Sequence, residues 1–258
     1  CRLRKKRAWA LRCEHEASLH EENCWLTLTY DNENLPSNGS LRKKDLQGFL
    51  KRLRSYEAWS AEQEERIARR FKFFACGEYG GRLDRPHYHL MLFGFDFRDK
   101  VATTKRDGWQ QYASDTLDKR WSKGITEIGT ASIDGFGYLA KYVTKRDKDI
   151  EDALKVNGFE PEFIVMSRGG RNGKGIGYEW FRQYGQELLD NDSCIVKGRE
   201  VSVPGYYDRL NEISEPEAIR KVKAKRRSRF DEDEGRSSRL LARKKVAESG
   251  VKLFTERC

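Results

Sequence analysis

Four of the 258 residues are histidine, and two of these stand at positions 87 and 89. They sit in Arg-Pro-His-Tyr-His-Leu-Met-Leu-Phe, an apolar stretch opened by Pro86. On a strand, side chains two apart project to the same side of a sheet. Both imidazoles therefore face one way with Met91 and Phe93, while Tyr88, Leu90 and Leu92 face the other. Neutral imidazole is a common ligand for divalent metals, so a cation between the two rings is the chemistry this pair could do. A third ligand is expected, and Glu78 is placed for it. It ends the aromatic stretch 71–79, and only the turn 80–86 separates it from His87. Pairing across such a hairpin brings the Glu78 carboxylate toward the rings. For His-x-His alone, a chance pair of histidines on a wet strand remains the alternative.

Two further stretches carry chemically useful residues. Tyr138 and Tyr142 are four apart, as are Lys141 and Lys145. On a helix from about residue 132 the phenols stack on one face and the lysines on the neighbouring stripe. The plainer account is an amphipathic helix with aromatic core residues and solvated lysines. The second stretch, 167–177, is rich in glycine and carries Arg168, Arg171 and Lys174. It resembles a backbone-amide cradle for phosphates, with a flexible surface loop equally open. It does not match the nucleotide P-loop, because Gly175 follows Lys174 where Ser or Thr is required. There is no Gly-x-Gly-x-x-Gly, so ATP use is unsupported.

The elements that position these residues follow from periodicity. Residues 2–22 read as a basic helix with Trp9, Cys13 and Ala17 in one stripe and His15 and His20 exposed. Residues 25–30 alternate as a strand. Ser40 is expected to cap a helix over 41–54, in which Leu46, Phe49, Leu50 and Leu53 form the buried stripe. A second, charged helical piece covers 61–70. The hairpin comes next, with its arms in 71–79 and 86–95. Residues 98–123 are polar and read as an irregular insertion with a short helix at 113–121. Strands are expected at 125–131 and 163–166, a helix at 178–189, and a hairpin at 194–203 turning at Lys197-Gly198.

Composition narrows the partners. Hydrophobic residues make up 37%, enough for a core, and charged residues 36%, with a formal net charge of +10. A chain this basic points to a polyanion, nucleic acid first, with a merely well-solvated basic surface as the alternative. No run of about 18 apolar residues occurs, so no membrane span is expected. The six cysteines at 1, 13, 24, 76, 194 and 258 form no Cys-x-x-Cys, and a reducing cytosol is the simplest compartment. The first residue is Cys rather than Met, from which a fragment is expected. Cationic residues crowd 220–229 and acidic ones 231–234. The expected organisation is one domain over 1–210, with an insertion at about 98–123, and a charged helical or disordered tail over 211–258.

Together, Trp-Leu-Thr-Leu-Thr-Tyr-Asp at 25–31, Cys-Gly-Glu-Tyr-Gly at 76–80, Arg-Pro-His-Tyr-His at 85–89 and the doubled Tyr-x-x-Lys at 138–145 resemble the HUH endonucleases. These include the rolling-circle replication initiators, and the likeness is closer to those of Microviridae, small single-stranded DNA phages, of the gokushovirus type. It extends over residues 8–210 or so. The resemblance implies an α+β fold: a central antiparallel sheet, related to the RNA-recognition and ferredoxin-like folds, flanked by helices. It implies that His87, His89 and Glu78 hold Mg²⁺ or Mn²⁺, that Tyr138 and Tyr142 are paired nucleophiles, and that Lys141 and Lys145 assist them. The implied activity is nicking and rejoining of single-stranded origin DNA through a 5′-phosphotyrosine, in the cytoplasm of a bacterial host, alongside host helicase and polymerase. Two other readings stand beside it. One is a non-catalytic nucleic-acid binder stacking bases on Phe73, Phe74 and Tyr88. The other is an HUH relaxase or transposase.

Overall fold

The structure, a computed structural model, describes residues 2–80, 85–106, 108–131, 148–168, 174–196, 198–229 and 236–255. Alternation builds the centre of its sheet. In β1 (Asn23–Thr29), Cys24, Leu26 and Leu28 are buried, while Asn23, Trp25, Thr27 and Thr29 are half-buried. β2 (Lys72–Tyr79) and β3 (Pro86–Phe93) form the anticipated hairpin, with Glu78 opposite His87 and Cys76 opposite His89. Of the remaining strands, β4 (Val101–Arg106), β5 (Trp109–Ala113) and β6 (Thr126–Thr130) extend the sheet beyond β1. β7 (Phe163–Met166) adds to β2. The order is β4-β5-β6-β1-β3-β2-β7, and every described pairing is antiparallel.

The chain departs from the sequence expectation at 98–123. Rather than an irregular insertion, it forms β4 and β5 ahead of the expected short helix. Thr103 and Thr104 are β-branched, which suits a strand, and Gly108 takes the positive φ of 81° that the reversal needs. Pairing of β5 with β6 then makes polar residues part of a sheet, a gain that local hydrophobic pattern does not display.

The helices fall on both faces. α1 (Arg2–Ala17) is shorter than expected. α2 (Lys43–Gln63) is one helix, where two pieces were expected; it buries Leu46, Phe49, Leu50 and Leu53 as anticipated. It ends at Glu64, followed by Glu65 at φ 49°, so residues 64–71 are not helical. Ser40 does not cap it. The Ser40 hydroxyl instead donates to the Leu41 carbonyl and accepts the Glu160 N–H. α3 (Asp115–Trp121) is capped by Ser114, whose Oγ accepts the Leu117 N–H at 3.1 Å. α4 (Lys148–Val156) and α5 (Tyr178–Asn191) follow.

Two apolar layers result. One joins Leu26, Leu28, Tyr88, Leu90 and Leu92 to Leu46, Phe49, Leu53 and Trp121 of α2 and α3. On the other face, Cys13, Phe74, Met91, Phe93 and Ile176 are buried together, with Trp9 and Ala17 of α1 against them. Two α1 residues correct the sequence expectation. His15 is buried and stacked on Trp180 at 3.5 Å, and burial pushes its pKa down to about 4. His20 is half-buried and bonded to Glu16. Charge concealed this face of α1. Arg12, His15 and Glu16 are buried with polar or aromatic partners, which apolar periodicity does not register.

Buried Glu57 of α2 ties down the segment leading into β2. It accepts from Arg66 Nη1 at 2.5 Å, Arg69 Nη2 at 3.0 Å and the Arg69 backbone N–H at 2.9 Å. Burial alone would raise its pKa, but the Arg69 and Arg66 hydrogen bonds outweigh burial and hold it at about 2. The group's folded pKa is depressed, so its stabilisation is present above the ordinary carboxylate pKa and is lost as pH falls toward 2. Glu57→Ala is expected to destabilise the protein by about 2 kcal/mol and to flatten this acid limb, which denaturant melts at pH 7 and pH 3 would record.

The chain divides into two compact units, Arg2–Trp180 and Phe181–Cys258. In the second, β8 (Ser193–Val196) and β9 (Arg199–Ser202) make the expected hairpin. α6 (Gly205–Ser214), α7 (Pro216–Ser228) and α8 (Ser237–Thr255) follow, so the described part of 211–258 is largely helical. Phe181 stacks on Tyr207, and Arg226 of the cationic α7 is bonded to both Asp192 and Asp208. No helix among the described residues is long and apolar enough to cross a membrane.

Candidate metal centre

The α1 face of the sheet changes character along its strands. At one end lie Trp25, Met91, Phe74 and Met166 in adjacent strands, beside α1. Two residues along, the row is Glu127, Thr27, His89, Cys76 and Ile164. Two further, it holds Thr29, His87 and Glu78. Strand alternation puts the polar groups on this face, and antiparallel register brings them together from three strands.

Glu78, His87 and His89 converge. Glu78 Oε1 lies 3.0 Å from His87 Nε2 and 2.8 Å from His89 Nε2. One ligand atom from each residue falls within 4.8 Å of the others. The His87 and His89 rings are 5.0 Å apart and nearly perpendicular. Glu78 is buried and the two rings are half-buried, so the cluster is shielded without being sealed.

Hydrogen bonds behind the rings set their orientation. His87 Nδ1 lies 3.0 Å from the Arg85 carbonyl, which can only accept, so Nδ1 carries a proton. Arg85 is itself held, donating to the Tyr30 carbonyl at 2.8 Å and to Asn32 Oδ1 at 2.6 Å. His89 Nδ1 lies 3.1 Å from Thr27 Oγ1. Both Nε2 atoms are thereby turned toward Glu78. Burial works against charge on each ring. At His87 the Glu78 hydrogen bond and the Arg85 carbonyl outweigh burial and raise the pKa. At the more enclosed His89 burial prevails over Glu78, and the pKa is lowered.

This donor set fits a divalent cation. Two imidazole nitrogens and a carboxylate oxygen converge, with each ring anchored through its other nitrogen, as metal-binding histidines commonly are. Glu78, His87 and His89 are thus brought together as the sequence anticipated. Tyr138, Lys141, Tyr142, Lys145 and Arg171 lie outside the described residues. Arg168 and Lys174 are exposed. The ends of their loop are anchored: Ser167 N–H donates to the Phe73 carbonyl, and Arg12 donates to the Ile176 carbonyl. Phe74 and Tyr88, the base-stacking candidates, are fully buried and offer no platform; Phe73 is half-buried. Sequence reasoning had given no role to Thr27, Trp25 or the Arg85 carbonyl. Their one available signal was the polar alternation of Asn23, Trp25, Thr27 and Thr29.

A family of replication-associated proteins, of the ORF2 type, matches residues 23–147, a span that includes Glu78, His87 and His89. Replication-associated protein VP4 of Bdellovibrio phage phiMH2K is 29% identical over 228 residues, covering 87% of this chain and 69% of its own length. Replication-associated protein ORF2 of Spiroplasma virus 4 is 32% identical over 222 residues, covering 82% of this chain and 65% of its own. The chain is a relative of the phage replication-associated proteins. The resemblance to Microviridae replication proteins seen in the motifs is borne out by these matches. A third relative, Replication-associated protein ORF4 of Chlamydia phage 1, is 26% identical over 218 residues. The chain spans 51% of that relative's length. No solved structure matches the chain.

Proposed function

We propose that this protein initiates phage rolling-circle replication by nicking single-stranded origin DNA and later rejoining the displaced strand into a circle. The observation that carries the reading is the convergence of Glu78, His87 and His89 on one face of the sheet. These three residues would hold Mg²⁺ or Mn²⁺, which supplies a Lewis acid that polarises a phosphoryl oxygen and orients the scissile bond. The names of the relatives, all phage replication-associated proteins, support the biological setting.

Tyr138 and Tyr142 are the proposed nucleophiles. A tyrosine Oη attacks the scissile phosphorus, an Oη–P bond forms, and the P–O3′ bond breaks. The departing 3′ oxygen takes a proton and becomes a free hydroxyl. Lys141 and Lys145 offset the charge that builds on the phosphate. The phosphoester link is kept in the protein–DNA adduct, so rejoining needs no ATP. The second tyrosine attacks the regenerated origin after one round, which releases the circle. Arg168, Arg171 and Lys174 contact the DNA backbone. Host helicase and polymerase act on the nicked template, in the cytoplasm of the bacterial host.

The test uses a 3′-labelled single-stranded origin oligonucleotide with and without Mn²⁺. A 3′ label stays on the fragment that carries the 5′-phosphotyrosine, so a labelled protein band is expected in the presence of metal. Tyr138→Phe combined with Tyr142→Phe is expected to abolish that band. Adducts that persist in the double variant defeat the assignment.

A further inference from the structure

We propose that Thr27 is a positioning residue for the metal centre, its hydroxyl holding His89 with Nε2 turned to Glu78 while Trp25 aims that hydroxyl. The inference rests on the metal reading of Glu78, His87 and His89. It concerns a residue 62 positions away from His89 in the chain, on a different strand.

The geometry is a directed relay. Thr27 on β1 stands opposite His89 on β3, on the same face. Its Oγ1 lies 3.1 Å from His89 Nδ1. Trp25 Nε1 lies 3.3 Å from the same oxygen. An indole N–H only donates, so Trp25 takes one acceptor position of the hydroxyl. What remains on Thr27 Oγ1 is one proton and one lone pair, and both can address Nδ1. The Trp25 ring also lies 5.4 Å from the His89 ring, which limits how the imidazole turns.

This makes the two histidines unlike. The Arg85 carbonyl behind His87 accepts only, so it demands a proton on Nδ1. The hydroxyl behind His89 serves either tautomer. It donates to Nδ1 when Nε2–H points at the Glu78 carboxylate, and accepts from Nδ1–H when Nε2 offers its lone pair to a cation. The ring keeps one proton and its place in both arrangements. Valine at 27 has nearly the same shape and the same liking for strands, but it serves neither tautomer.

The test is Mn²⁺ titration of the intact chain, read as affinity and as free-ion electron paramagnetic resonance, together with imidazole ¹⁵N spectra of the His89 ring. Thr27→Val is expected to weaken Mn²⁺ binding by about 10- to 100-fold, with the His89 nitrogen shifts altered. Thr27→Ser keeps the hydroxyl and is expected to restore both. Wild-type affinity in a folded Thr27→Val overturns the inference while leaving the metal reading intact. If the wild-type chain itself binds no Mn²⁺, the metal reading falls and this inference falls with it. Should Thr27→Val fail to melt cooperatively, Trp25→Phe carries the test. It removes the indole donor and keeps an aromatic ring, and unchanged affinity in it is equally fatal.

Discussion

His87→Ala combined with His89→Ala is expected to lower Mn²⁺ affinity by roughly 100-fold or more, because two of three converging donors are lost. Metal-dependent nicking is expected to disappear with it. Glu78→Gln tests the third donor separately: the amide keeps the shape of the side chain and removes the anionic oxygen that both Nε2 atoms approach. The strands themselves should survive these changes. His87 and His89 are half-buried, and the core contacts of β3 are made by Tyr88, Leu90 and Leu92 on the opposite face. Calorimetric titration with Mn²⁺ and circular dichroism on the same samples separate the two effects. Undiminished Mn²⁺ affinity in a folded double variant would remove the metal centre from the proposal.

Gly124→Ala is expected to be among the most damaging single substitutions. Gly124 has φ 140°, a conformation that L side chains rarely adopt. An added Cβ would stand 2.2 Å from the Asp31 backbone nitrogen and 2.5 Å from the Thr29 carbonyl oxygen. Those atoms belong to backbone held on both sides, with the Asp31 N–H bonded to the Lys123 carbonyl at 3.0 Å and the Thr29 N–H to the Ile125 carbonyl at 2.9 Å. Neither can retreat without opening the junction of β1 and β6. A loss of roughly 3 kcal/mol or more is expected, which lowers the melting temperature by about 10 °C for a unit of this size. The junction also carries Tyr30, whose carbonyl accepts from Arg85 beside His87. Mn²⁺ affinity is therefore expected to weaken along with stability. A thermal melt within about a degree of wild type would contradict the clash, given what such strain ordinarily costs.

The parts legible beforehand were those set by short-range periodicity. The His87–Phe93 strand declared its two faces because alternation has a period of two, and both faces are as anticipated. The buried stripe of α2 was legible for the same reason at helical spacing. The errors lie where long-range partners override local pattern. Val101–Arg106 and Trp109–Ala113 look irregular alone and become strands by joining β6. His15 looks like a solvated helix residue and is buried by stacking on Trp180. Ser40 has the right chemistry for a helix cap and spends its hydroxyl on Leu41 and Glu160 instead.

By itself the sequence determined that two imidazoles share one side of a strand and that a carboxylate nine residues earlier is within a hairpin's reach of them. Those facts depend only on spacing and on the turn between them. Tertiary structure alone decided what stands behind each ring, a carbonyl for His87 and the Thr27 hydroxyl for His89. The physical reason is that register between β1 and β3 is set by burying the even-numbered residues of both strands against α2 and α3. A slip of one residue would turn Thr27 into the core and leave His89 without that partner.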